Sequence, residues 1–90
     1  MMPRSALIRV PRVFLEDHAE RDLPTPIIQK STRSHHYIRA DDPALGELAS
    51  DAAHYATGGI DVVAFPHLFG LVASARATLA AIRKSQETSR

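Results

Sequence analysis

The chain has 90 residues without Cys or Trp, and its 11 Lys and Arg against 10 Asp and Glu give a formal charge of +1. This length suits one small globular domain over 1–90, and it excludes a (β/α)₈ barrel or a full dinucleotide-binding fold. The absence of Cys excludes disulfides, thiolate zinc sites and cysteine nucleophiles. The near-neutral charge gives no general attraction to nucleic acid or to an anionic membrane.

The N-terminal region carries no targeting or membrane signal. Its apolar run is too short for the core of a signal peptide, and no apolar stretch of membrane-spanning length occurs in the chain. We therefore expect a cytoplasmic protein whose residues 1–9 form a flexible arm, with residues 5–10 either a frayed strand or part of that arm. Pro11 suits the first turn of a helix over 12–21, and the prolines in 23–26 end it.

Residues 27–39 have the composition of β-structure, and two architectures fit them. The first is a hairpin with its tip at Thr32 and Arg33; the second is one long strand that pairs with a second subunit. The tip lacks the Gly, Asn or Asp that tight two-residue turns require. The hairpin is favoured, because two short strands can satisfy each other's backbone groups within one chain.

A helix is predicted after residue 42. Asp42 can cap it, Pro43 fits its first position, and leucines and alanines recur at three-to-four spacing up to residue 56. Gly58 suits a left-handed cap at its C-terminal end.

The last predicted helix begins near Pro66 or Gly70 and runs to about Lys84, and residues 86–90 are expected to be a flexible tail. Its apolar stripe comprises Leu68, Leu71, Val72, Ala75, Leu79 and Ile82. The expected fold class is therefore α+β, with a short N-terminal helix, a β-hairpin or long β-ribbon, and two longer packed helices.

The connection over 60–69 is unusually apolar. Phe65, Leu68 and Phe69 either complete the core or form a partner-binding surface. The core interpretation is favoured, and a homodimer is compatible with both.

The residues that could carry catalysis do not form a recognisable set. The five histidines lack the spacing of helical zinc motifs, so we expect no metal site and no cofactor. The carboxylates of Asp17 and Asp51 could each orient a histidine. No serine lies in a nucleophile motif, so we expect no catalytic residue and no enzyme.

A basic, partly aromatic stretch over 30–39 is the best candidate for contacting a ligand; it comprises Lys30, Arg33, His35, His36, Tyr37 and Arg39. Of these, Lys30, Arg33, His35 and Arg39 are the candidate nucleic-acid-binding residues. The order of strand and two helices resembles ribbon–helix–helix repressors, which bind DNA as dimers. The long connection over 57–69 and the purely acidic charge of 41–65 depart from that pattern. The other interpretation of the basic stretch is a solvated sheet edge whose charges prevent pairing with another chain.

Three motifs support a wider resemblance: His18-x-x-Arg21-Asp22-Leu23-Pro24, Leu48-x-Ser50-Asp51-Ala52-x-x-Tyr55 and Gly70-Leu71-x-x-Ser74-Ala75-Arg76-Ala77-Thr78. With them the chain resembles small proteins of actinobacteria and mycobacteriophages whose activity is not established. The resemblance implies an accessory protein that binds host or phage components. It places Arg21, Ser50, Asp51, Tyr55, Ser74 and Arg76 in recurring motifs, either as a polar scaffold in which Arg76 bridges to Asp51 or as the lining of a site.

The sequence therefore favours a non-enzymatic binding protein, expected to be homodimeric and to engage a host protein through Phe65, Leu68 and Phe69. The alternative is a dimeric DNA-binding regulator that uses its basic ribbon.

Overall fold

The computed structural model describes residues 6–88, in which a three-stranded antiparallel sheet packs one face against the helices. The elements in chain order are β1 (Leu7–Pro11), α1 (Arg12–Glu20), β2 (Ile28–Ser31), β3 (His35–Arg39), α2 (Leu45–Thr57) and α3 (Phe69–Thr88), with a turn of 3₁₀ helix (Pro66–Leu68) directly before α3. The predicted α+β class is confirmed.

The predicted order of elements is wrong at the N-terminus, because a strand precedes the first helix. Ile8 and Val10 are buried while Leu7 and Arg9 are exposed, which is the alternation of a strand with one face on the core. This strand, β1, pairs with β3 along its whole length. Residues 7–9 of the predicted arm thus lie in the sheet, and residues 1–5 lie outside the described range.

The segment over 27–39 is a hairpin, not one long strand. Its strands β2 and β3 pair antiparallel, and the sheet order is β1-β3-β2. The amide of Thr32 donates to the carbonyl of His35 (2.8 Å), and the amide of His35 donates to the hydroxyl of Thr32 (3.1 Å). The side chain of Thr32 therefore closes the tip, which needs no residue of positive φ.

The central position of β3 separates this fold from a ribbon–helix–helix dimer. Both edges of β3 are paired within the chain, by β1 and by β2. Pairing of β3 with a second subunit, as in the ribbon of those repressors, would first require one of these strands to leave.

The second helix begins later than its capping pattern predicts. Asp42 accepts hydrogen bonds from the amides of Ala44 (2.8 Å) and Ile27 (2.9 Å), so its carboxylate ties the start of β2 to the turn before α2. At the other end, the predicted left-handed cap is wrong at Gly58, whose φ is −79°, and positive φ occurs at Gly59 (72°). Gly58 is required for another reason: a Cβ there would overlap the backbone carbonyl of His54.

The third helix is longer than predicted. It continues through residues 86–88, which were expected to belong to a flexible tail, and residues 89–90 lie outside the described range. The helix packs against both α2 and β1, so it joins the helical layer to the sheet. The core between the layers is formed by Ile8, Val10, Phe14, Leu15, Ile38, Leu48, Ala52, Ala75, Leu79 and Ile82. Within residues 6–88 no helix is long and apolar enough to cross a membrane.

The apolar connection over 60–69 does not complete this core. Val63, Phe65 and Phe69 are 88%, 52% and 64% exposed, and Leu68 is half-buried. The favoured core interpretation of this segment is therefore wrong. The 3₁₀ turn contributes contacts to the start of α3 but no buried side chain.

Candidate nucleic-acid interface

The sheet has an outer face that no described helix covers. Strand alternation sends one set of side chains into the core and the other set away from it. The second set, here called the outer face, comprises Leu7, Arg9 and Pro11 of β1, His35, Tyr37 and Arg39 of β3, and Lys30 of β2.

Three of these residues form a row across the sheet. Arg9 of β1 and Lys30 of β2 are the register partners of Tyr37, which lies in the middle of the central strand. Paired residues in antiparallel strands point to the same side, and the ammonium of Lys30 lies 5.5 Å from the centre of the Tyr37 ring. The row Arg9–Tyr37–Lys30 thus places one aromatic ring between two cations.

The charged residues of the outer face are all basic. The three strands contain no Asp or Glu. Arg39 is paired through two 2.9 Å contacts with Asp41, which raise its pKa. Within residues 6–88, Arg9 and Lys30 form no ion pair, so their charge is open to a ligand.

His35 lies beside this row and is half-buried. Partial desolvation of the imidazole lowers the pKa of His35, and the nearby guanidinium of Arg9 lowers it further. The Nδ1 atom of His35 is 2.7 Å from the hydroxyl of Ser34. The ring is thus a group that gains a positive charge as the pH falls, next to an existing cation.

The four predicted nucleic-acid-binding residues occupy this region in two ways. Lys30, His35 and Arg39 lie on the outer face, and Arg33 lies at the exposed hairpin tip, 32–34. His36, which belonged to the same stretch, points into the core side. Its Nδ1 is 2.7 Å from the hydroxyl of Ser31, and its Nε2 is 3.5 Å from a carboxylate oxygen of Glu16.

Arg9 is the residue of the outer face that the sequence interpretation missed. Its segment was left open between a frayed strand and an N-terminal arm, so its position opposite Tyr37 was not predicted. The available signal was the alternation from Leu7 to Val10, in which Arg9 separates two apolar residues.

A second polar group, here called the buried cluster, comprises Asp17, His18, Arg21 and Asp51. The imidazole of His18 is fully buried, with Nδ1 2.6 Å from Oδ2 of Asp51 and Nε2 2.9 Å from the carbonyl of Pro24. Arg21 forms ion pairs with Asp17 and Asp51. The cluster therefore joins α1 to α2 and to the segment that leads into β2.

Aromatic rings enclose the arginine of this cluster. The guanidinium carbon of Arg21 lies 4.8 Å from the ring centre of Tyr55 and 5.9 Å from that of Phe14. The expected bridge from Arg76 to Asp51 is wrong, because Arg76 is exposed and Asp51 is held by His18 and Arg21.

The buried cluster is closed to substrates. Both nitrogens of His18 already have a hydrogen-bond partner, Nδ1 in the carboxylate of Asp51 and Nε2 in the carbonyl of Pro24. Neither nitrogen is available to remove a proton from a substrate, and the ring has no exposed surface. The histidine–aspartate pair thus has the residue types of a catalytic dyad, but its buried position and its contacts are those of a group that holds the fold together.

The remaining histidines do not converge. Within residues 6–88 no group of three or more His, Asp or Glu side chains is arranged to hold a metal ion.

Comparisons with protein-family models, with curated proteins and with solved structures gave no significant match.

Proposed function

We propose that this protein is a non-enzymatic binding protein whose ligand is nucleic acid, held on the outer face of its sheet. The observation that carries the proposal is the row Arg9–Tyr37–Lys30. It combines two cations without carboxylate partners among the described residues and one aromatic ring on a surface that no described helix covers.

Electrostatics supports an anionic ligand in spite of the low net charge. Phosphate contacts depend on local basic residues, and a one-signed patch attracts polyanions even when the rest of the protein is balanced. Arg33 at the hairpin tip and Lys30 on β2 extend the patch along one side of the sheet.

The closed geometry of the buried cluster supports a role without catalysis. His18 is bonded on both nitrogens and inaccessible, so the arrangement that most resembles catalytic machinery has no route to a substrate.

The test is fluorescence anisotropy with labelled single-stranded and duplex DNA at low salt, followed by a salt titration. The proposal predicts that the logarithm of the binding constant falls with the logarithm of the salt concentration, with a slope near −0.7 per phosphate contacted for a single strand. For three contacts, as from Arg9, Lys30 and Arg33, the slope is about −2.

A matched pair of double variants separates this face from general charge. Arg9→Gln with Lys30→Gln should weaken binding and reduce the slope, whereas Arg76→Gln with Arg83→Gln on α3 removes the same charge from exposed positions elsewhere. Equal losses in both double variants, or no binding to any DNA at low salt, would contradict the proposal.

A protein partner is the second candidate function, and the exposure of Val63, Phe65 and Phe69 favours it. Three large apolar side chains within seven residues, each more than half exposed, form a patch of the kind found at protein interfaces. The sequence alone favoured this function, with a host protein as the partner and Phe65, Leu68 and Phe69 as the binding residues, of which Leu68 is half-buried.

Retention of a host protein by the immobilised chain tests this candidate. Phe65→Ser with Phe69→Ser should abolish retention without unfolding the chain. Val13→Ser removes a similarly exposed side chain (59%) from α1 and should leave it intact. Undiminished retention by the double variant would count against the surface.

Origin, location and assembly stay predictions. We infer an actinobacterial or phage protein of the cytoplasm that acts as a homodimer. Sedimentation analysis over a range of concentrations tests the last of these, and a monomer at all concentrations would overturn it.

A further inference from the structure

We infer that the outer face prefers single-stranded nucleic acid over a duplex and that one base stacks on Tyr37. The inference rests on the proposed function and adds the class of nucleic acid and the residue that selects it. Three features of the face carry it: the position of the aromatic ring, the width of the sheet, and the placement of the cations around the ring.

The ring of Tyr37 lies where a base can reach it. It is in the middle of the central strand, and its neighbours across the sheet are the flexible side chains of Arg9 and Lys30. An unpaired base offers a flat surface for stacking on such a ring, whereas the bases of a duplex are stacked on one another.

Lys30 does not prevent this stacking. Its ammonium lies 5.5 Å from the centre of the ring. A cation–π contact at an exposed site is weaker than the stacking of a base on an aromatic side chain, and a lysine has four rotatable bonds with which to move aside. A base can therefore displace the ammonium, which then meets the adjacent phosphate.

The width of the sheet argues against insertion into a duplex. The major groove is about 12 Å wide and admits a helix or a two-stranded ribbon. Here three strands lie side by side, about 10 Å between the axes of β1 and β2, and the opposite face is covered by α1 and α3. With its side chains and the helices behind it, this sheet is wider than the two-stranded ribbon that the groove admits.

The two cations suit the backbone on either side of a stacked base. Neighbouring strands are about 4.8 Å apart, so Arg9 and Lys30 start about 5 Å to each side of Tyr37. A nucleic-acid strand that crosses the sheet along this row places one phosphate near Arg9 and one near Lys30. Arg33 at the exposed hairpin tip adds a third cation, three residues along the chain from Lys30.

The experiment compares four labelled probes of about 12 nucleotides by anisotropy at one low salt concentration. They are oligothymidylate, oligouridylate, an abasic strand with the same number of phosphates, and a duplex. We expect at least one of the two base-containing single strands to bind about tenfold or more tightly than the abasic strand and the duplex. The tighter of these two strands identifies DNA or RNA as the ligand, and either result supports the inference.

Substitutions at Tyr37 locate the stacking site. Tyr37→Leu should lower the affinity for the base-containing strands about tenfold and leave the affinity for the abasic strand unchanged. Tyr37→Phe keeps an aromatic ring and should bind all strands as the parent chain does. Circular dichroism and thermal unfolding confirm that both variants fold, and leucine fills the half-buried position without an aromatic ring.

The outcomes separate this inference from the proposed function. Equal binding of abasic and base-containing strands, tighter binding of the duplex, or an unaltered affinity of Tyr37→Leu overturns the stacking inference and leaves a nucleic-acid-binding protein. Absence of binding to all four probes overturns the proposed function itself.

Discussion

The two polar groups of this chain use similar residues in opposite surroundings. In the buried cluster, Arg21 and His18 share the carboxylate of Asp51, and His18 has no exposed surface. On the outer face, Arg9 and Lys30 flank Tyr37 without a carboxylate partner among the described residues. Basic residues that are neutralised inside the fold hold its elements together, whereas those left unneutralised on its surface are available to a ligand.

Removal of the central carboxylate of the buried cluster should have the largest effect on stability. Asp51→Ala leaves the buried ring of His18 and the partly buried guanidinium of Arg21 without their shared partner. We expect a loss of about 3 kcal/mol in the free energy of unfolding, measured by urea denaturation.

Asp41→Ala is the matched control, because Asp41 also binds an arginine but on the surface. Its pair with Arg39 is about half exposed on both sides, so its removal should cost less than about 1 kcal/mol. Equal losses of unfolding free energy in Asp51→Ala and Asp41→Ala would show that the buried cluster stabilises the fold no more than a surface ion pair does.

A histidine substitution tests the same contrast with a smaller expected effect. His18→Gln cannot reproduce both contacts of the imidazole, so either Asp51 or the carbonyl of Pro24 loses its hydrogen-bond partner. We expect a loss of about 2 kcal/mol. His35→Gln on the outer face should change stability by less than about 0.5 kcal/mol. A stable His18→Gln chain would indicate that water or another side chain replaces the ring.

Replacing an arginine with glutamine should lower the stability of the fold at Arg21 and weaken DNA binding at Arg9. Arg21→Gln removes two ion pairs and the contact with Tyr55, but the side chain is a quarter exposed, so we expect a loss of about 1 kcal/mol. Arg9→Gln should leave the free energy of unfolding nearly unchanged and weaken DNA binding. Urea unfolding and anisotropy are measured on both variants. If Arg21→Gln bound DNA more weakly than Arg9→Gln, Arg9 would not be the arginine that contacts the ligand.

Much of the fold was predictable because its signals are local. The cap and apolar spacing after Asp42 indicated α2, and the prolines at 24 and 26 ended α1 where expected. The sequence left residues 5–10 open between a frayed strand and an arm, because a strand of five residues has a weak pattern and β1 forms only by pairing with β3, about thirty positions later. Pairing partners at that distance are not visible in one sequence.

The candidate site shows the same limit. Lys30, His35 and Arg39 were recognisable as a basic stretch on alternate positions of strands, but Arg9 joins them only through the register of β1 with β3. The sequence also left open whether Phe65 and Phe69 lie in the core or on the surface. Apolar composition is the same whether a segment enters the core or remains outside it, and the packing of α3 against α2 and β1 decides between them.

Binding on the outer face should strengthen modestly as the pH falls, which is the smallest effect expected. Desolvation and the neighbouring Arg9 lower the pKa of His35, so the ring is neutral at pH 7 and gains its charge only in more acidic solution. A bound phosphate favours the charged ring, and proton uptake therefore accompanies binding. We expect the affinity for single-stranded DNA to rise by about two- to fivefold between pH 7.5 and 5.5 at low salt, where exposed charges are least screened. The dependence should disappear in His35→Gln and persist in His67→Gln, which removes an exposed histidine from the 3₁₀ turn. A pH dependence that survives in His35→Gln would assign the proton to another group and remove His35 from the interface, whereas its loss would join this ring to the row Arg9–Tyr37–Lys30 as part of one binding surface.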